Sequence, residues 1–303
     1  MDASRTREIL SRVRKLEIRT RRLVEETMAG QYHSVFKGRG MDFEEVREYL
    51  PGDEVRTIDW NVTARTGRPF VKKFTEEREL TLLLLVDLSA SGSFGSGARS
   101  KRELAAEVAS VLAFSAIRNN DKVGLVLFTD RVEKFIPPAK GKSHVLRVVR
   151  EILFFEPEHT GTDLVAAIEF ANRVVRRRAV TFLISDFLLP GWESGLPDAV
   201  KRALGLVNRR HDLVALATTD PRERELPDVG FVTLEDAETG EQLEVDTSDT
   251  GLRQRYAEAA ASHAEALRHA LRGCGVDLLE LGTEEPYLPA LQRFFRGRVR
   301  RAA

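Results

Sequence analysis

One cysteine, Cys274, occurs in 303 residues. A single thiol excludes an internal disulfide framework and any zinc site built from several cysteines, and it suits a reducing compartment. Net charge is missing as well: Lys+Arg and Asp+Glu both number 47, so no global field draws the chain to nucleic acid or acidic lipid. Long apolar runs are absent too. The longest are LLLLV and VGLVLF, far short of the roughly 20 residues a membrane helix needs. The opening MDASRTREIL lacks the apolar core of a signal peptide. A cytoplasmic protein with no transmembrane segment is expected. What is present, 42% hydrophobic against 31% charged residues, can build a substantial core and stay soluble. Charge is uneven locally, since MDASRTREILSRVRKLEIRTRR and RFFRGRVRRAA are basic. Tethering by those ends would show as steep salt dependence, and the overall balance argues against it.

Three stretches differ in pattern. Residues 1–33 form an amino-terminal helical segment: Ile9, Val13, Leu16, Leu23 and Val24 keep helical spacing across residues 4–28, which predicts a helix packed on its own protein or a partner. Residues 34–79 are polar, punctuated by GRG, PGD and TGRP, yet hold Phe43, Tyr49, Leu50, Ile58, Trp60 and Phe70. Such a segment is expected to lie on the main domain. In one reading Asp53, Arg56, Asp59 and Arg65 form a buried ion network with Trp60 as apolar anchor. In the other, the same charges line a docking surface.

From residue 80 the pattern is regular. TLLLLVD, KVGLVLFTD, AVTFLISD, HDLVALATTD and VDLLELGT read as strands. Helices are expected at KRELAAEVASVLAFSAIRN, SHVLRVVREILFF, DLVAAIEFANRVVRRR, DAVKRALGLVNRR and LRQRYAEAAASHAEALRHALRG, with a short one near PALQRFF. A hairpin inserted at about 229–248 turns near Thr239-Gly240. Strands apolar throughout, alternating with amphipathic helices, predict a doubly wound, mostly parallel α/β sheet covered on both faces over residues 80–303. Ligands in such sheets bind beyond the carboxyl ends of the strands.

Those ends carry Asp87, Ser89 and Ser91 in D-x-S-x-S spacing, Thr160 and Thr162 in EHTGTDL, and Asp186 after AVTFLIS. A phosphate-binding P-loop fails, because Gly141-Lys142-Ser143 has Ile136 where the first glycine belongs. Gly92, Gly95 and Gly97 do not make a dinucleotide fingerprint. An aspartyl-phosphate enzyme would need a second acid where Ser89 stands. His159 is the sole histidine near these loops, a weak basis for a triad. A hard divalent cation fits better: Mg²⁺ takes about six oxygens and keeps several waters. Each Asp or Ser is also an ordinary helix cap when taken alone.

D-x-S-x-S at Asp87, Ser89 and Ser91, with Thr162 in GTDL and Asp186 in ISDF, resembles the metal-ion-dependent adhesion site of von Willebrand factor A domains over residues 78–283. The preceding segment, with Arg47-Glu48-Tyr49, Pro51-Gly52-Asp53, Arg56, Ile58-Asp59-Trp60 and Ala64-Arg65, is similar to the signature of the bacterial "domain of unknown function 58" family. These resemblances imply a binding module rather than an enzyme. Mg²⁺ or Mn²⁺ would be held by Asp87, Ser89, Ser91, Thr162 and Asp186, and a partner's carboxylate would complete its shell. They further imply an adaptor or co-chaperone beside a MoxR-type AAA+ ATPase, and the balanced charge predicts no nucleic-acid partner. The alternative is a metal-dependent hydrolase using the same ion to activate water.

Overall fold

The computed structural model describes residues 13–18, 45–51, 60–73, 79–189 and 195–302, with single positions 11, 20, 23, 24, 53, 55 and 58. The chain divides into two units, Lys37–Glu79 and the remainder, Met1–Phe36 with Leu80–Ala303. In the smaller unit β1 (Glu45–Glu48) pairs antiparallel with β2 (Phe70–Lys73), and α1 (Trp60–Thr66) lies between them in sequence. Asp53 receives both arms of the Arg47 guanidinium at 2.7 and 2.8 Å, and the Leu50 N–H at 2.9 Å. Arg56 and Asp59 lie outside the described residues. Trp60, the apolar anchor in one of the two readings, is 66% exposed, and Val71 is buried.

The larger unit is built on the sheet order β10-β7-β6-β3-β4-β5. Its strands are β3 (Thr81–Asp87), β4 (Lys122–Phe128), β5 (Val132–Ala139), β6 (Val180–Ser185), β7 (Asp212–Thr219) and β10 (Asp277–Gly282). All neighbours run parallel except β5, an antiparallel edge strand on β4. Strand periodicity sorts the core into two layers. Leu82, Leu84 and Val86 of β3 face one cluster, and Leu83 and Leu85 face the other. The first layer is covered by α2 (Lys101–Arg118), α3 (Lys142–Phe154) and α8 (Tyr287–Ala302), the second by α4 (Leu164–Val174), α5 (Asp198–Arg210) and α7 (Thr250–Gly273). This is the doubly wound α/β architecture that the alternating pattern predicts. Residues 13–18 are helical, and Val13 and Leu16 join the first layer.

Two helices depart from expectation. Helix α4 ends at Val174, leaving Arg176, Arg177 and Arg178 in the loop before β6. The final helix is longer than PALQRFF suggests and carries RGRVRR, because Arg298 is tied to Asp212 at 2.6 Å and Asp277 at 2.9 Å. Between β7 and α7 come a short helix, α6 (Pro221–Arg224), and the antiparallel hairpin β8 (Phe231–Glu235) and β9 (Gln242–Asp246). Among the described residues no helix is long and apolar enough to cross a membrane.

Candidate functional site

The winding of the sheet reverses between β3 and β6, because the chain proceeds from β3 to β4 on one side and from β6 to β7 on the other. A crevice opens at the carboxyl ends of strands that diverge in this way. Asp87 ends β3 and Asp186 follows β6. Each carboxylate is turned by the same local device: Asp87 Oδ1 accepts from the Ser89 N–H at 2.9 Å, and Asp186 Oδ1 from the Leu188 N–H at 3.0 Å. Phe187, between them in the second turn, is fully buried with φ 57°. A bulky side chain in the left-handed region stores strain, and here it sits directly after a site carboxylate.

Four of the five expected residues converge. Ser91 donates to Asp186 Oδ2 at 2.7 Å, and the Ser89 and Ser91 hydroxyls are 3.1 Å apart. Ser185 donates to Asp87 Oδ2 at 2.7 Å. Thr162 makes a different contact. Its hydroxyl goes to Glu238 Oε1 in the β8–β9 turn at 3.2 Å, while its loop reaches the group through Ala90 N–H to Thr160 O at 2.9 Å. His159 lies 3.4 Å from Asp130 through Nδ1.

Sequence reasoning missed Lys101, on the first turn of α2 and only 1% exposed. Its ammonium donates to Asp186 Oδ2 at 2.6 Å and to Glu223 Oε1 of α6. Burial opposes the charge, but Asp186 and Glu223 together raise the lysine pKa above its ordinary value. Lysine at the start of a helix opposes the helix dipole, and that misplacement is the signal that marks it. Glu223 looks in sequence like a capping glutamate, and Oε2 does accept from Asp220 N–H at 2.9 Å; its other oxygen holds Lys101. Glu238 carries a raised pKa because it is partly buried and Asp186 repels it.

Asp87 has no cation of its own. Burial first, and the neighbouring Asp186 second, push its pKa up to about 7. Asp186 and Glu223 thus share one ammonium, and Asp87 lies beside Asp186. The cleft bounded by Asp87, Ser89, Lys101, Arg102, Ser185, Asp186 and Thr218 is small, with room for a water or a single ion. Among the described residues no three His, Cys, Asp or Glu side chains form a metal cage. The oxygen donors there, Asp87, Asp186, Ser89 and Ser185, suit a hard cation that retains water, and the bases Lys101 and Arg102 match the two carboxylates in number.

Asp220 braces the rim. It accepts from Ser96 N–H (3.0 Å), Ser96 Oγ (2.6 Å), Arg222 N–H (3.0 Å) and Thr283 Oγ1 (2.7 Å), tying together the loops after β3, β7 and β10. Burial alone would raise its pKa, and these donors instead hold it at about 2. The charged form is favoured in the fold, so its stabilisation is present above about pH 4 and lost as pH falls toward 2. Asp220→Asn is expected to cost at least about 2 kcal/mol in urea unfolding at neutral pH, and to remove this part of the acid sensitivity.

The model of the family described as "Protein of unknown function DUF58" matches residues 45–266, and the chain belongs to that family. Uncharacterised proteins of Mycobacterium tuberculosis and Mycobacterium bovis are each 36% identical over 293 residues, covering 96% of this chain and 90% of theirs. Among solved structures, BatB of Bacteroides thetaiotaomicron is 17% identical, with a TM-score of 0.44 over 73% of this chain and 99% of that one. The SpRpn10 VWA domain is 15% identical, with a TM-score of 0.35 over 72% and 95%.

Proposed function

We propose that this chain is a protein-interaction module that grips an acidic side chain of its partner through a divalent cation, in the manner of a metal-ion-dependent adhesion site. The observation that carries the reading is the buried Asp87 carboxyl beside Asp186, with the Ser89 and Ser91 hydroxyls joined to them by hydrogen bonds, in a small cleft at the carboxyl edge. Asp87 and Asp186 would supply charge, Ser89 and Ser91 neutral oxygens, and Thr162 a further hydroxyl. The ion, Mg²⁺ or Mn²⁺, would offer its open position to a carboxylate. Glu238, already on Thr162, is an internal acid that a partner's carboxylate would displace. Work as an adaptor or co-chaperone of a MoxR-type AAA+ ATPase rests on the family resemblance alone.

Electron paramagnetic resonance during a Mn²⁺ titration tests the site. One bound ion in the wild type, lost in Asp87→Ala with the fold retained by circular dichroism, is expected. Capture of the ATPase by immobilised protein in Mg²⁺ should then be abolished by EDTA. Capture that persists unchanged in EDTA and in Asp87→Ala defeats the metal-mediated reading.

A further inference from the structure

The formal charge of zero conceals two opposite poles within the larger unit. At the carboxyl edge, the stretch from Glu225 to Leu252 contains no lysine or arginine. Its hairpin exposes Glu235, Asp236, Glu241 and Glu244, none of which has an ion-pair partner among the described residues. Phe231 and Leu243 on the same hairpin are 81% and 64% exposed.

The amino edge is the reverse. Arg176, Arg177 and Arg178 occupy the loop entering β6, Arg209 and Arg210 end α5 before β7, and Arg272 ends α7 before β10; all are exposed. These corners adjoin. Arg210 donates to the Arg176 carbonyl at 2.8 Å, and Asn208 donates to the Gly275 carbonyl at 2.7 Å. Burial first, and Arg210 and Arg178 after it, lower the pKa of His211 between them. Asp212 and Asp277, the acids that begin β7 and β10, are already engaged by Arg298 and Arg301. Arginine in the last turn of a helix complements the dipole, but Arg176–Arg178 lie beyond the end of α4 and need another reason. Leu206, one turn before Arg209 and Arg210 on α5, is 63% exposed.

The two poles cannot neutralise each other within one molecule, because the strands between them hold them about 20 Å apart. We infer that copies of this chain associate head to tail, the arginine edge of one molecule seating the acidic hairpin of the next, with Leu206 against the exposed apolar side chains of the hairpin. Each pole offers what the other lacks, charge of the opposite sign around an exposed apolar residue, and guanidinium matches carboxylate in planar, paired hydrogen bonds. Different surfaces meet, so the contact is heterologous and leaves a free pole at each end of the assembly. Among the described residues the arginine edge exposes no aromatic ring and so offers no stacking platform for nucleic-acid bases, and apolar residues on both poles favour protein over a phosphate polymer.

Sedimentation velocity of the full chain over a concentration series tests this. Association is expected at about 0.02 M salt and should weaken at least about tenfold at about 0.5 M. Arg176→Glu/Arg177→Glu/Arg178→Glu and Glu235→Lys/Glu241→Lys/Glu244→Lys should each sediment as a monomer. Mixed in equal amounts, they should associate again, since each then carries the pole the other has lost. All substituted positions are exposed, and circular dichroism confirms folding. A wild type that stays monomeric at low salt, or variants that associate as before, overturns the inference. So does a monomeric wild type whose arginine edge instead binds anionic vesicles or duplex DNA.

Discussion

Lys101→Met should lower the unfolding free energy by about 3–5 kcal/mol, the range for breaking a buried pair from one side, read as a fall in urea midpoint. The methionine fills much of the same volume, so the loss is electrostatic. Asp186, a side chain only 3% exposed, keeps the Ser91 hydroxyl and the Leu188 N–H but loses its counter-charge, and Glu223 loses it as well. A second effect runs the other way. With the ammonium gone, Asp186 and Glu223 lack their counter-charge beside Asp87, so Mn²⁺ should bind more tightly than to the wild type and return part of the lost stability by mass action. Destabilisation without any rescue by Mn²⁺ or Mg²⁺ would mean that Lys101 alone is the cation of this site. Adding Glu223→Gln should recover part of the loss, because one of the two stranded acids is then neutral.

The Asp87 carboxyl should make ion binding depend on pH with a definite sign. Its folded pKa is about 7 against an unfolded value near 3.8. Between these values the native state keeps a proton that the unfolded chain has released. Metal-free protein therefore loses stability as pH rises from about 4 to about 7, by at most about 4 kcal/mol, and changes no further above that from this group. A cation must displace the proton, so the logarithm of its affinity should climb about one unit per pH unit below 7 and level off above. Asp87→Asn should abolish both the slope and the binding, while its amide keeps much of the local hydrogen bonding. Calorimetric titrations at several pH values check this, and an affinity independent of pH from 5 to 8 would show that Asp87 is no ligand.

The legible parts of this molecule were those whose signal is local. Strands β3 and β6 are buried on both faces, so their apolar runs stand out, and each delivers an aspartate at its end. Helix α2 announces itself through Ser100 and Glu103, whose side chains cap each other's backbone. The termination of α4 before three arginines was not legible, since nothing in VVRRR forbids a further turn of helix. Nor was the Lys101–Asp186–Glu223 group, whose members are separated by 85 and 122 positions and read singly as a surface lysine, a strand-end acid and a capping glutamate. The engagement of Thr162 by Glu238 likewise depends on a hairpin folding back across 76 positions. Trp60 is exposed where one of the two readings of its segment made it an apolar anchor, and large apolar side chains do lie on protein surfaces.

Strand β5 has a consequence for how such molecules can aggregate. It borders the sheet and carries Pro137 and Pro138 in succession. Backbone N–H groups on a strand point alternately to its two sides, so adjacent prolines delete one donor toward β4 and one toward solvent. The inward loss is absorbed by an irregularity in the pairing between Val123 and Leu125, where Pro138 leans over Gly124 so closely that a Cβ there would lie 2.9 Å from its ring. The outward loss leaves a border that an incoming strand cannot match, so runaway β-pairing along this side is blocked. Replacing both prolines with valine would restore the missing donors and, with them, a template for amyloid-like stacking.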